Sequence, residues 1–260
     1  EHGGYFLDPA NPDVQNFLED LIKEIIYKYQ PDGINLDYIR YPQSLAAKYA
    51  GYDMSNWGYT QYAREDFKSH YGIDPYTISA DSPNWQLWAK YRQDKVTSFV
   101  LRINRLTRCK NIMLTTVIFP DREKALETKE QDWKIWSQLG YVDGFTPLLL
   151  TCDPKTASVM LQDIANNKSK STALYAGLFI TFMDGSNDDL IRQIHEARKV
   201  GAKGVILFDY AHLSNKYIAA LTQSVFEQVE PDVTIPSCPV TAKKHRRFLF
   251  FKKKCNNDYE

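Results

Sequence analysis

Residues 8–42 read DPANPDVQNFLEDLIKEIIYKYQPDGINLDYIRYP. Val14, Phe17, Leu18, Leu21, Ile22, Ile25, Ile26 and Tyr29 recur three and four residues apart, one apolar stripe of an α-helix over residues 12–29. Asn11 is a suitable N-cap, and Pro12 fits the first turn, where its missing N–H is not needed. Pro31-Asp32-Gly33 breaks the helix, and Ile34–Tyr41 follows as a strand closed by Pro42. Strand side chains alternate, so Ile34 and Leu36 share one face and Asn35 and Asp37 the other. In a parallel α/β fold, functional groups gather at the C-terminal ends of strands, and Asp37 stands at such an end. A carboxylate among apolar strand residues is costly unless paired. Arg40, three residues on, is the cation placed to pair with Asp37 and orient it.

The alternation continues outward. Helices are predicted over residues 59–70, 83–106, 130–139, 153–166, 187–200 and from Ser214 to about Val229. Strands are predicted at Ile112–Phe119, Val142–Leu150, Leu174–Thr181 and Gly204–Tyr210. The chain is thus a helix followed by five β–α units, which demands parallel strands. Five such strands form either an open doubly wound sheet or the last five units of an eight-stranded barrel, and periodicity does not choose between them. The leading helix, with no strand before it, and the opening Glu1-His2-Gly3-Gly4, with no initiator Met, read as a start that has been cut.

Composition excludes several classes. Lys plus Arg and Asp plus Glu are 32 each, so no bulk charge drives nucleic-acid binding. With 43% hydrophobic and 25% charged residues the chain is globular. No apolar run reaches the roughly 18 residues of a membrane span. Cys109, Cys152, Cys238 and Cys255 form no C-x-x-C pair and have no histidine at ligand spacing, so neither a zinc site nor a disulfide framework is indicated. No phosphate loop or Ser-His-Asp set is visible, and no cofactor or metal is expected. Residues 231–260 lack periodicity and carry Lys243-Lys244-His245-Arg246-Arg247 and Lys252-Lys253-Lys254, which read as a solvated, disordered basic tail after a domain over residues 1–230.

The stretch D-P-x-N-P opening a helix, followed by D-G-I-x-L-D-Y-I-R-Y-P on a strand, resembles the glycosyl hydrolase-like 10 family, bacterial proteins grouped as glycoside hydrolases on a (β/α)8 barrel. Similar segments recur at Trp85, Trp88 and Arg92, at Gln131-Asp132-Trp133 with Trp136, at Val142-Asp143-Gly144, and at Gly204–Tyr210. The resemblance implies a partial (β/α)8 TIM-type barrel, its last five β–α units present and its first three without a counterpart. It also implies a carbohydrate substrate and an extracellular or cell-envelope setting. Many members carry two adjacent acids at the strand end; here Tyr38 follows Asp37.

Hydrolysis of a glycosidic bond by this chemistry uses two carboxyl groups. Asp37 is the first candidate. The glutamates away from the chain ends fall on predicted helices or the residues leading into them, Asp153 reads as a helix cap, and Asp184 with Gly185 as a turn. Asp209, ending a strand and sharing a face with Val205 and Leu207, is the second candidate. Asn35, Tyr38, Arg40, Tyr41 and Tyr210 are the substrate-binding candidates, the tyrosines as sugar-stacking rings; Trp85 and Trp88 lie at helical spacing and belong to the core. The expected activity is hydrolysis of O-glycosidic bonds in a polysaccharide, incomplete in this chain. The alternative is a non-catalytic carbohydrate-binding or scaffold protein derived from such a barrel. Five units leave two strand edges open, which predicts self-association and an exposed lumen lined by Met113, Val117, Phe145 and Leu149.

Overall fold

The computed structural model describes residues 5–42 and 57–227. Helix α1, Pro12–Tyr29, begins as its sequence dictates: the Asn11 side chain accepts from the Asp13 N–H, and Pro12 occupies the first turn. Strand β1 is Gly33–Leu36. After residue 57 come α2 (Gln61–Tyr71), α3 (Trp85–Cys109), β2 (Met113–Ile118), α4 (Arg122–Lys129), α5 (Trp133–Gln138) and β3 (Gly144–Leu149). The last elements are α6 (Pro154–Asn167), β4 (Ala173–Phe179), α7 (Asn187–Lys199), β5 (Gly204–Phe208) and α8 (Asn215–Thr222).

All four strand pairings are parallel, and the order is β1-β2-β3-β4-β5. A doubly wound sheet reverses its strand order at a switch point. A sheet that advances one strand at a time is the arc of a barrel, so the chain forms a partial α/β barrel.

The two faces are chemically distinct. On the helix side, Leu36 packs with Ile22, Ile26, Phe99 and Ile103. Phe145, Leu149, Leu174, Ala176 and Leu178 pack with Trp133, Trp136, Leu161, Ile164 and Ile194. The inner face carries Asn35 opposite Thr115, and Val117 opposite Thr146. The Tyr175 ring lies across it so closely that a Cβ added at Gly144 would come within 3.0 Å of it. Further along, Phe179 stacks on Phe208 with centroids 4.7 Å apart.

Several expectations need correction. Phe145 and Leu149 do not face the lumen; both are fully buried against the helices. The inward positions of β3 are Gly144 and Thr146, and a slip of one residue exchanges the faces of a strand. Strand β1 ends at Leu36 rather than Tyr41 because Tyr38 adopts the left-handed region, φ 53°, and the Arg40 N–H turns back to the Tyr38 carbonyl. Helix α4 was not foreseen: Ala125 and Lys129 are its buried residues, too few to make a stripe. Helix α8 ends at Thr222, earlier than its periodicity predicted. Cys109 is disulfide-bonded and Cys152 is free and exposed; a bond added to a large core is not the disulfide framework that the cysteine spacing left unindicated. The expected tail over residues 231–260 lies outside the described residues.

Candidate active site

Asn35 anchors the site. Its Oδ1 accepts from the Thr115 hydroxyl at 2.8 Å and the Thr146 hydroxyl at 3.3 Å, so one side chain ties three strands together on the inner face. Two residues on, Asp37 follows the end of β1 and is exposed. Its Oδ1 accepts from the Tyr38 N–H at 2.7 Å, which holds the carboxyl beside the strand end. Tyr38 is 59% exposed.

Arg40 does not pair with Asp37. It is 8% exposed, and its Nη1 donates to the Tyr41 carbonyl at 3.0 Å. The guanidinium carbon lies 4.5 Å from the centre of the Tyr38 ring and 5.5 Å from that of Phe119. The turn at Tyr38, φ 53°, leaves Arg40 packed on the aromatic rings, within electrostatic reach of the Asp37 carboxylate but not in an ion pair with it.

Beside this turn opens a cavity of about 320 Å³ lined by Phe6, Leu7, Asp8, Tyr41, Pro42, Trp57, Gly58, Tyr59, Thr60 and Tyr76. Asp8 supplies its carboxylate. One oxygen accepts from the Ala10 N–H at 2.9 Å and the Tyr41 hydroxyl at 3.3 Å, and the other from the Thr60 hydroxyl. Tyr41, 2% exposed, lines the cavity; burial, then the Asp8 charge, pushes its phenol well above the usual range. Gly58, at φ 93°, is required here, since a Cβ would meet the Tyr41 ring at 2.8 Å.

The wall behind is polar and dry. Arg92 Nη1 and Glu130 Oε1 are 2.9 Å apart, each 1% exposed, and Arg92 also donates to the Trp57 carbonyl. Burial outweighs the nearby Arg92 charge and pushes the Glu130 carboxyl up to about 7. Lys129 is brought down to about 8, first by burial and then by the Arg40 charge. Gln131 closes the gap between β1 and β2: its amide donates to the Ile39 and Val117 carbonyls, and its oxygen accepts from the Phe119 N–H.

Asp209 and Tyr210 are placed elsewhere. They follow β5, at the opposite edge of the sheet from β1. Asp209 accepts from the His212 backbone and lies 2.8 Å from its Nδ1; that hydrogen bond holds the carboxyl below its usual range. Tyr210 is 88% exposed. Trp85 and Trp88 are core residues as expected, and Trp88 stacks 5.3 Å from Tyr91 behind the cavity. Sequence reading missed Asp8, Trp57, Tyr59, Glu130 and Lys129 as site residues. Asp8 alone carried a signal, standing first in the D-P-x-N-P motif. Among the described residues no group of three or more His, Cys, Asp or Glu side chains is gathered to hold a metal ion, and no helix is long and apolar enough to cross a membrane.

An aromatic cavity with acids at the C-terminal mouth of a parallel arc is the arrangement of a glycoside hydrolase-like barrel protein. The chain belongs to the glycosyl hydrolase-like 10 family, whose model matches residues 3–184. It is 22% identical over 279 residues to an S-layer-related protein of Niallia circulans, covering 90% of this chain and 16% of that protein. The chain therefore spans about a sixth of that relative's length. Its fold is similar to the catalytic domain of the beta-amylase from Paenibacillus polymyxa, with a TM-score of 0.53, 14% sequence identity, and coverage of 86% of this chain and 71% of that one.

Proposed function

We propose that the chain forms the carbohydrate-binding and acid-bearing part of a site that hydrolyses O-glycosidic bonds in a polysaccharide. The observation that carries this reading is the Asp8 cavity. Flat rings from Phe6, Tyr41, Trp57, Tyr59 and Tyr76 converge around one carboxylate beside the strand end that holds Asp37. Aromatic faces bind the apolar faces of sugar rings, and a few placed polar groups fix orientation. Asp37, exposed at the mouth, acts as the acid or nucleophile, and Asn35 braces the strand below it. Tyr38 and Tyr41 contact the sugar. Asp209, held by His212, is at the far sheet edge, so Asp8 is the better partner for Asp37.

Asp37→Asn is expected to keep the fold and carbohydrate binding while lowering hydrolysis by about a thousandfold or more. The check is reducing-sugar release from a polysaccharide panel beside binding to the same panel. Wild-type turnover by Asp37→Asn would remove Asp37 from the mechanism. A second reading is a non-catalytic carbohydrate binder of the cell envelope, supported by the similarity to an S-layer-related protein. It predicts binding without sugar release by the wild type.

A further inference from the structure

Among the residues that line the cavity, only Asp8 carries a full charge. Its carboxylate is half-buried, and all its hydrogen-bond donors are neutral. The Ala10 N–H and the Tyr41 hydroxyl donate to Oδ1, and the Thr60 hydroxyl donates to Oδ2. A carboxylate has about four lone-pair sites, so Oδ2 keeps one for a ligand. Among the described residues no cation forms an ion pair with Asp8. The arginines around the cavity are answered elsewhere. Arg92 meets Glu130 at 2.9 Å, and Arg64 donates to both oxygens of Asp74, at 3.1 and 2.7 Å. Arg40 lies within electrostatic reach of Asp37. The cavity walls favour a cation as well, because the faces of aromatic rings attract positive charge. Two of these rings already do so from outside: the Arg64 guanidinium lies 4.2 Å from the centre of Tyr76, and that of Arg40 lies 5.7 Å from Phe6. A carboxylate among apolar rings is costly without a counter-charge. A neutral hydroxyl would bond Oδ2 but leave that charge unanswered, and an anionic group would be repelled. An ammonium supplies both the hydrogen bond and the charge.

We propose that the cavity takes an amino sugar, a glycan unit whose protonated free amine donates to Asp8 Oδ2 while its ring rests against the aromatic wall. The volume of about 320 Å³ lies at the small end of ligand pockets, which suits a short stretch of glycan. N-acetylation removes the charge from that amine and adds bulk, so the site selects the free form. This rests on reading the cavity as a sugar site, and it makes Asp8 the binding group that seats the sugar for Asp37.

The test is calorimetric titration of the whole chain with hexamers of β-1,4-glucosamine and α-1,4-galactosamine, each beside its fully N-acetylated form. It is run at about pH 5.5, where carboxylates are ionised and amines protonated. At least one amino hexamer should bind about tenfold or more tightly than its acetylated form, and added salt should weaken it. Asp8→Asn should remove the preference, and Asp8→Glu, which keeps the charge, should retain part of it. Thermal melts report which variants fold. Should Asp8→Asn not fold, carbodiimide coupling of the amino hexamer to the wild type serves instead, since it joins a carboxylate to an amine in contact with it. Peptide mass spectrometry should then find the sugar on Asp8, and its absence there overturns the proposal. A preference that survives in folded Asp8→Asn also overturns it. Equal binding of the amino and acetylated forms, or tighter binding of the acetylated ones, overturns it and leaves the sugar reading standing. No binding of any hexamer removes both.

Discussion

Glu130 holds a carboxylate that water does not reach, at a left-handed backbone position just past α4. One oxygen faces Arg92; the other is buried without a hydrogen-bond partner. Its folded pKa of about 7 lies above the ordinary 4.5. The folded state therefore keeps a proton that the unfolded chain has released across that window, and stability falls as pH rises through it. The contribution is fully present below about pH 4.5 and lost as pH passes about 7. Glu130→Gln should abolish this part of the pH dependence, although its overall stability falls because Arg92 is left with no opposite charge. Thermal melts of both proteins from pH 5 to pH 8 provide the check. Parallel curves would mean that Glu130 does not titrate in that range.

Helix α6 shows how an element's faces divide its energetics. Asp153 caps it by accepting from the Lys155 and Thr156 N–H groups, and Pro154 occupies the first turn. Ala157, Leu161 and Ile164, four and three residues apart, are each 0% exposed against the sheet, whereas Val159 on the other face is 70% exposed. Leu161→Ala should cost about 2–5 kcal/mol, combining lost transfer free energy with a cavity that neighbours only partly fill. Val159→Ala should cost under about 0.5 kcal/mol. Urea unfolding of both variants measures the contrast, and similar midpoints would mean that α6 is not seated as described.

At the scale of the whole molecule, the arc has two edges. Among the described residues β1 pairs with β2 alone and β5 with β4 alone, so each presents a row of backbone groups open to pairing. Beside the β1 edge, α1 keeps Phe17 61%, Leu21 46% and Tyr29 75% exposed, so three of the eight residues of its apolar stripe are uncovered. Open edges next to an apolar stripe favour association. The chain is expected to self-associate with rising concentration, which light scattering coupled to size-exclusion chromatography would register. A monomer of constant mass across a wide concentration range would count against it.

What the sequence by itself determined was local and periodic. The stripe over residues 12–29, the Asn11 cap and the Asn35/Asp37 alternation needed no knowledge of distant residues, and α1 and the strand faces of β1 follow them. The five-fold β–α rhythm likewise implied parallel strands, although not whether they curl into a barrel arc; the strand order decided that. Tertiary structure alone decided the site. Asp8 meets Tyr41 and Thr60 across 33 and 52 residues of chain, Arg40 packs on the Tyr38 and Phe119 rings, and Glu130 finds Arg92 beneath the cavity. It also set which way Phe145 points, because the register of β3 against β2 turns on a single residue. A helix stripe is written in the spacing of neighbours. A contact between distant residues depends on how loops close and how strands align, and neither leaves a period in the sequence.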